Sequence, residues 1–253
     1  EKYLETGELT SEEVLKGLKS VVKSSNYIPV LVSSGTLEFG LAPILDAIIN
    51  LFPSPAEVGP AMAQGKDGED NLLPSDSGPL AAYVWKTTAD PFVGRLTYFR
   101  VYSGVMASDG RVWNQTKSVE ERFGTLQQPR GKENAPAKVF HVGDIGAVSK
   151  LAETSTGNTL CDRTHPLALP IPQYPNALYR VAVMPKTQAD STKISPTLTR
   201  LCEEDMTLTW KQEPATNQTI LQGMGDQHID VAIRKAEAKF QTILVSEEPR
   251  VPY

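Results

Sequence analysis

Few stretches of this 253-residue sequence hold residue types able to do chemistry. Ser33-Ser34-Gly35 closes the apolar run 27–32 (YIPVLV), and α/β domains place ligand-holding loops where a buried strand ends. Gly223-Met224-Gly225 precedes a helix, whose N-terminal N–H groups are able to hold an anion; a lone G-x-G is equally a plain strand-to-helix turn, and we read it so. His228 falls in the first turn of that helix with no nucleophile–base pair beside it, and reads as structural. Glu203, Glu204 and Asp205 bunch at a helix C-terminus, where negative charge opposes the macrodipole, and read as a surface turn rather than a metal or acid–base site. His141 and His165 also read as structural. Cys161 and Cys202 lack the neighbouring Cys or His pair of a zinc site and read as free thiols of a reducing compartment. The sequence contains neither G-x-x-x-x-G-K-[ST] nor N-K-x-D, so it offers no phosphate-cradling loop. No catalytic residue and no metal ligand is assigned.

The elements that must carry these residues fall into three parts. Residues 10–24 open with a capping box, Thr10 with Glu13 three residues later, and repeat Val14, Leu18, Val21 and Val22 at helical spacing. The run 27–32 reads as a buried strand, and residues 41–52 as a second helix stopped by Pro53 and Pro55. Helix, strand and helix over 1–55 are too few to bury a core, and read as the C-terminal end of a larger α/β domain. Residues 56–81 read as linker. Residues 90–104 (DPFVGRLTYFRVYSG) read as one long strand, because β-branched and aromatic types alternate with polar ones. With the strand-rich runs after it and turns at Gly104 and Ser108-Asp109-Gly110, it makes an antiparallel β-barrel over 82–166. The proline-rich stretch 167–175 reads as a stiff connector. Residues 176–247 give the order βαββαβ of a ferredoxin-like module, and 248–253 lead towards a following domain. The fold class is thus multidomain α+β.

Composition sets bounds. Hydrophobic residues make up 40% and charged residues 22%, values of an ordinary globular chain. No apolar run reaches the length of a membrane span, and the acidic N-terminus is no signal peptide. The net charge of −5 is unevenly spread. Residues 1–81 carry 5 basic and 12 acidic groups, 82–166 carry 11 and 8, and 167–253 carry 9 and 10. The barrel's excess, from Arg95, Arg100, Arg111, Lys117, Arg122, Arg130 and Lys132 among others, suits phosphate but equally suits a solvated face.

Several of these stretches together resemble bacterial elongation factor G. They are ADPFVGRLTYFRVYSG (89–104), GDIGAV (143–148), the P-K-x-x-A-D element at 185–190, L-x-E-E-D at 201–205 and GMGDQHI (223–229). The resemblance implies the end of a GTPase (G) domain, a β-barrel domain II and a ferredoxin-like domain III. It implies a parent that binds GTP with Mg²⁺, docks on the ribosome in the cytoplasm and couples hydrolysis to translocation of mRNA and tRNA. Ser34 and Gly35 then match the loop that closes over guanine in the full-length parent. His228, Lys235 and Pro175 match an interdomain pocket, and Arg130 and Lys132 become candidate contacts to ribosomal RNA phosphates. Hinge motion would fall on linkers such as 167–175. Ser33-Ser34-Gly35 stands where the family has G-S-A, and Asp226-Gln227 where it has Glu-Leu. These departures leave open a divergent paralogue, such as a ribosomal-protection-type GTPase, and, from another class, a non-enzymatic RNA- or protein-binding module. The fragment alone is expected to be inactive towards GTP.

Overall fold

The computed structural model describes residues 2–90, 94–131 and 133–251, with the backbone alone of Asp90. It divides into two compact units, Glu1–Pro60 and Ala61–Tyr253.

The first unit holds α1 (Lys2–Thr6), α2 (Ser11–Lys23), α3 (Leu41–Leu51) and α4 (Pro55–Val58). The capping box forms as the sequence predicts: the Thr10 hydroxyl accepts from the Glu13 amide at 3.3 Å, and the Glu13 carboxylate accepts from the Thr10 amide at 2.9 Å. The expected strand at 27–32 does not form. A buried strand requires ladder partners on both sides, and none lies beside it among the described residues. Ile28, Val30 and Val32 therefore stand more than four-fifths exposed. No residue described in this unit is buried.

The second unit starts with a hairpin, β1 (Ala61–Gly65) and β2 (Gly68–Leu72), where the sequence suggests a linker. The β-hairpin is held because it supplies apolar cover. Ala63 and Leu72 pack with Ala81, Tyr83, Cys161, Leu167 and Leu169 in a satellite core. Asp70 meets His165 at 3.1 Å and Asp76 meets His141 at 2.8 Å, both pairs about half exposed.

The barrel follows: β3 (Ala81–Asp90), β4 (Gly94–Ser103), β5 (Met106–Ala107), β6 (Arg111–Asn114), β7 (Val119–Arg122), β8 (Leu126–Arg130), β9 (Glu133–Ala137), β10 (Val139–Phe140), β11 (Ile145–Ser149) and β12 (Thr159–Cys161). Eight of them form one antiparallel sheet in the order β7-β6-β12-β3-β4-β11-β8-β9, and β5 pairs with β10. The sheet curls around Val84, Phe99, Val101, Met106, Leu126, Phe140, Val148 and Leu160. Asp90 ends β3 instead of opening the strand expected over 90–104, which starts at Gly94; residues 91–93 lie outside the described residues. The turn residues behave as read, with Gly104 at φ 69° and Asp109 at φ 59°.

The expected connector begins with a short strand, β13 (Leu167–Ala168), which pairs with β1, so its first residues are fixed and not free to hinge. Beyond it, 169–178 is extended without a ladder. The last module comprises β14 (Tyr179–Pro185), α5 (Ile194–Glu204), β15 (Thr209–Glu213), β16 (Gln218–Gly223), α6 (Asp226–Phe240) and β17 (Leu244–Glu247). Its sheet order β15-β16-β14-β17, antiparallel throughout, is the split βαββαβ arrangement. Val181, Val183 and Leu221 of the sheet pack on Leu198, Leu201, Ile229 and Ala236 of the helices. The fold is multidomain α+β, and among the described residues no helix is long and apolar enough to cross a membrane.

Candidate functional site

Helix α5 ends in three consecutive carboxylates, which its own dipole disfavours. Each has a partner that offsets this. Glu203 Oε1 accepts from Arg95 Nη2 at 2.7 Å, and the Glu203 carbonyl accepts from the buried Thr87 hydroxyl at 2.8 Å. Glu204 accepts from the Ala89 amide at 2.6 Å and is ion-paired to Lys239 on α6. Residues 87, 89 and 95 lie at one end of the β3–β4 pair. The last turn of α5 therefore clamps the βαββαβ module to the mouth of the barrel. The expectation of a free surface turn at 203–205 is corrected for this reason.

Beneath the clamp is a polar network in the barrel. Arg95 Nη1 donates to the carbonyls of Ala152 and Thr154 at 2.7 and 3.3 Å. The Thr154 hydroxyl binds Glu121 and accepts from Asn114 Nδ2 at 2.9 Å, and the same amide reaches Asn158 at 3.0 Å. Buried polar groups satisfied in this way hold their neighbours in one geometry. Arg95 is engaged by the clamp and leaves the set of cations open to phosphate. Beside it lies a cleft of about 510 Å³ lined by Arg95, Arg200, Glu203, Lys239 and Phe240. Arg200 and Lys239 both sit over the Phe240 ring, at 5.6 and 5.7 Å.

Asp205 turns the other way. Its Oδ2 meets His228 Nε2 at 2.9 Å, while Oδ1 accepts from the Thr207 amide and hydroxyl at 3.0 and 2.6 Å. Burial alone would raise its pKa, but the Thr207 bonds and then His228 outweigh that and hold the carboxyl below its ordinary value. His228 Nδ1 accepts from the Met224 amide at 3.1 Å, so the imidazole joins the end of α5 to the start of α6. A Cβ on Gly223 would meet that nitrogen at 3.0 Å, which explains the glycine without a ligand. Cys202, partly buried beside these carboxylates, has its thiol pushed up to about 11 by burial, then Asp205 and Glu203. Such a thiol is inert at neutral pH. Cys161 is buried, and both cysteines are free.

The structure brings together some of the residues singled out in the sequence. His228 and Lys235 share a crevice of only about 10 Å³ with Asp205 and Val231. Pro175 is not part of its lining and is exposed in the extended stretch. Ser34 lies in a tight reversal: its amide donates to the Phe39 carbonyl at 2.9 Å, and its hydroxyl accepts from the Leu37 amide at 3.3 Å. A Cβ added to Gly35 would meet nothing within 4 Å. Arg130 is exposed at the end of β8, donating to Gln128 at 3.3 Å; Lys132 lies outside the described residues. No group of three or more metal-ligating side chains occurs among the described residues.

Residues 79–163 match the family described as elongation factor G domain 2, and residues 174–246 match elongation factor G, domain III. The chain is also similar to a solved crystal structure of a protein from Thermus thermophilus. The two share 27% identity at a TM-score of 0.78, over 99% of this chain and 36% of the other. The chain thus spans about a third of that protein's length.

Proposed function

Since this chain belongs to the elongation factor G family through its domains II and III, we propose that it is a piece of a ribosome-binding translational GTPase of the cytoplasm. The parent would couple GTP hydrolysis to the advance of mRNA and tRNA. In this reading the barrel docks on ribosomal RNA and small-subunit protein, with Arg130 and Lys132 neutralising phosphates. Such contacts position the protein without reading sequence. The observation that carries the reading is that both domains follow one another on a single chain, joined by the Glu203–Glu204 clamp to Thr87, Ala89 and Arg95. A rigid joint of this kind transmits displacement of one module to the other.

Residues 1–55 would be the end of the G domain. Their unburied apolar residues support this, since a free-standing domain would cover them. Guanine would lie over the Ser34-Gly35 backbone, beside open space at Gly35. The remaining nucleotide contacts and Mg²⁺ would come from other segments of the parent, and this fragment alone would not hydrolyse GTP. His228 and Lys235 would border the interdomain pocket, with Pro175 nearby only if the extended stretch folds back. Gly35 and Asp226-Gln227, which depart from the family's pattern, support a divergent paralogue as the second reading.

Co-sedimentation with ribosomes tests the proposal, using the fragment and its full-length parent with and without a non-hydrolysable GTP analogue across a salt series. The proposal expects the parent to pellet only with the analogue and the fragment to bind weakly. Failure of both to pellet even at low salt would remove ribosome docking.

A further inference from the structure

The outer face of the barrel carries an arrangement that the clamp does not use. Strand β3 has an irregularity in its pairing with β4 between Val84 and Lys86, and this places Trp85 outside the regular ladder. Trp85 is 42% exposed, a large apolar area to leave in water. Its ring lies 5.6 Å from that of Tyr98 on β4, tilted by 48°. Lys86 is the register partner of Tyr98, and Arg100 lies two residues along β4 on the same face, over the Tyr102 ring at 5.4 Å. Among the described residues neither Lys86 nor Arg100 has a carboxylate in ion-pair range. The carboxylate nearest in register, Asp144 beside Ile145, accepts from the His141 amide at 2.8 Å within its own loop.

We propose that Trp85 and Tyr98, flanked by Lys86 and Arg100, form a stacking face for unpaired nucleotides of single-stranded RNA. An aromatic ring offers its face to any base, and a cation one row away meets the phosphate, so affinity comes without sequence readout. The local charge favours a polyanion over an apolar protein partner: the cations on this face are Lys86, in register with Tyr98, and Arg100, over the Tyr102 ring. Bases in a duplex are already stacked on one another and cannot use such a face. The proposal rests on the ribosome-docking reading only in taking RNA as the polyanion. It names residues other than Arg130 and Lys132.

The test is fluorescence anisotropy with a labelled single-stranded RNA of about eight nucleotides and the whole 253-residue chain. It compares Trp85→Leu, Tyr98→Leu and Lys86→Gln at low and moderate salt, with circular dichroism and melting temperature confirming that each variant folds. Trp85→Leu is expected to weaken binding at least about fivefold with an unchanged salt slope. Lys86→Gln is expected to lower the slope by about 0.7, the loss of one phosphate contact on a single strand. A duplex of the same sequence is expected to bind more weakly than the single strand. Unchanged affinity in folded Trp85→Leu, equal binding of the duplex, or no binding at low salt would each overturn the stacking face. Ribosome pelleting of the parent is read separately, so retained pelleting with lost oligonucleotide binding would refute this face alone.

Discussion

At the residue scale, the acidic end of α5 decides how the two modules are held. Three carboxylates at a helix C-terminus are unfavourable by themselves, and each is compensated by a group distant in sequence: Arg95, the Ala89 amide with Lys239, and Thr207 with His228. The Arg95–Glu203 pair is roughly a quarter to a third exposed, so screening limits its worth. A double-mutant cycle with Arg95→Ala and Glu203→Ala should give a coupling of about 0.5–1 kcal/mol. Arg95→Ala should cost more than Glu203→Ala, because it also strands the carbonyls of Ala152 and Thr154. Urea unfolding measures both; equal single-mutant costs would contradict the network. Asp205 makes a pH-dependent contribution. Its native pKa lies below the ordinary 3.8, so its stabilisation is complete above that value and is lost as pH falls through the native one. Asp205→Asn should therefore destabilise the chain at neutral pH by about 1 kcal/mol. The gap in melting temperature should begin to narrow below about pH 4 and close only as pH falls through the lower native pKa. A gap that stays constant down to strongly acidic pH would assign the effect to packing instead.

At the scale of elements, β11 shows why a glycine belongs in the middle of a strand. A Cβ at Gly146 would lie 2.6 Å from the Phe99 ring and 2.8 Å from Phe140, two aromatics packed edge to face at 5.5 Å in the barrel core. Neither ring is free to move, being buried on all sides. Gly146→Ala should cost about 1–3 kcal/mol by overpacking, seen as a lower urea midpoint with little change in slope. An unchanged midpoint would mean that the core yields. The elements also show which signals in the sequence were sufficient. The capping box at Thr10, the apolar faces of α5 and α6 and the alternation along β4 were legible because each is local, set by a period or by a pair three residues apart. The run 27–32 has the same apolar signature as a buried strand, yet it stays unpaired, because a strand is completed by neighbours and not by its own composition.

At the scale of the molecule, the two units differ in kind. Residues 61–251 contain three packed clusters, whereas the first sixty residues bury none of their described side chains. Proteinase K should accordingly attack 1–60 first, leaving a resistant fragment that starts near residue 61 and still contains both the barrel and the βαββαβ module. Early cleavage within 169–178 would show instead that this unpaired stretch is more accessible than the first sixty residues. The expected linker and connector belong to this scale too. Gly, Pro and Asp in 56–81 indicate turns, but burial of Ala63 and Leu72 against Leu167 appears only when residues a hundred positions apart are brought together.

The sequence by itself determined the order of a barrel and then a βαββαβ module, and the resemblance that family matches over 79–163 and 174–246 bear out. These rest on periodicity, turn chemistry and motif order, all of which act over short separations. Only the tertiary structure decided that Glu203 and Glu204 grip the barrel, that His228 serves Asp205 and the Met224 amide, and that Trp85 and Tyr98 share an exposed face. The physical reason is that a charge or an aromatic ring carries no mark of its partner. What it does depends on which distant group the fold brings within hydrogen-bond or van der Waals reach.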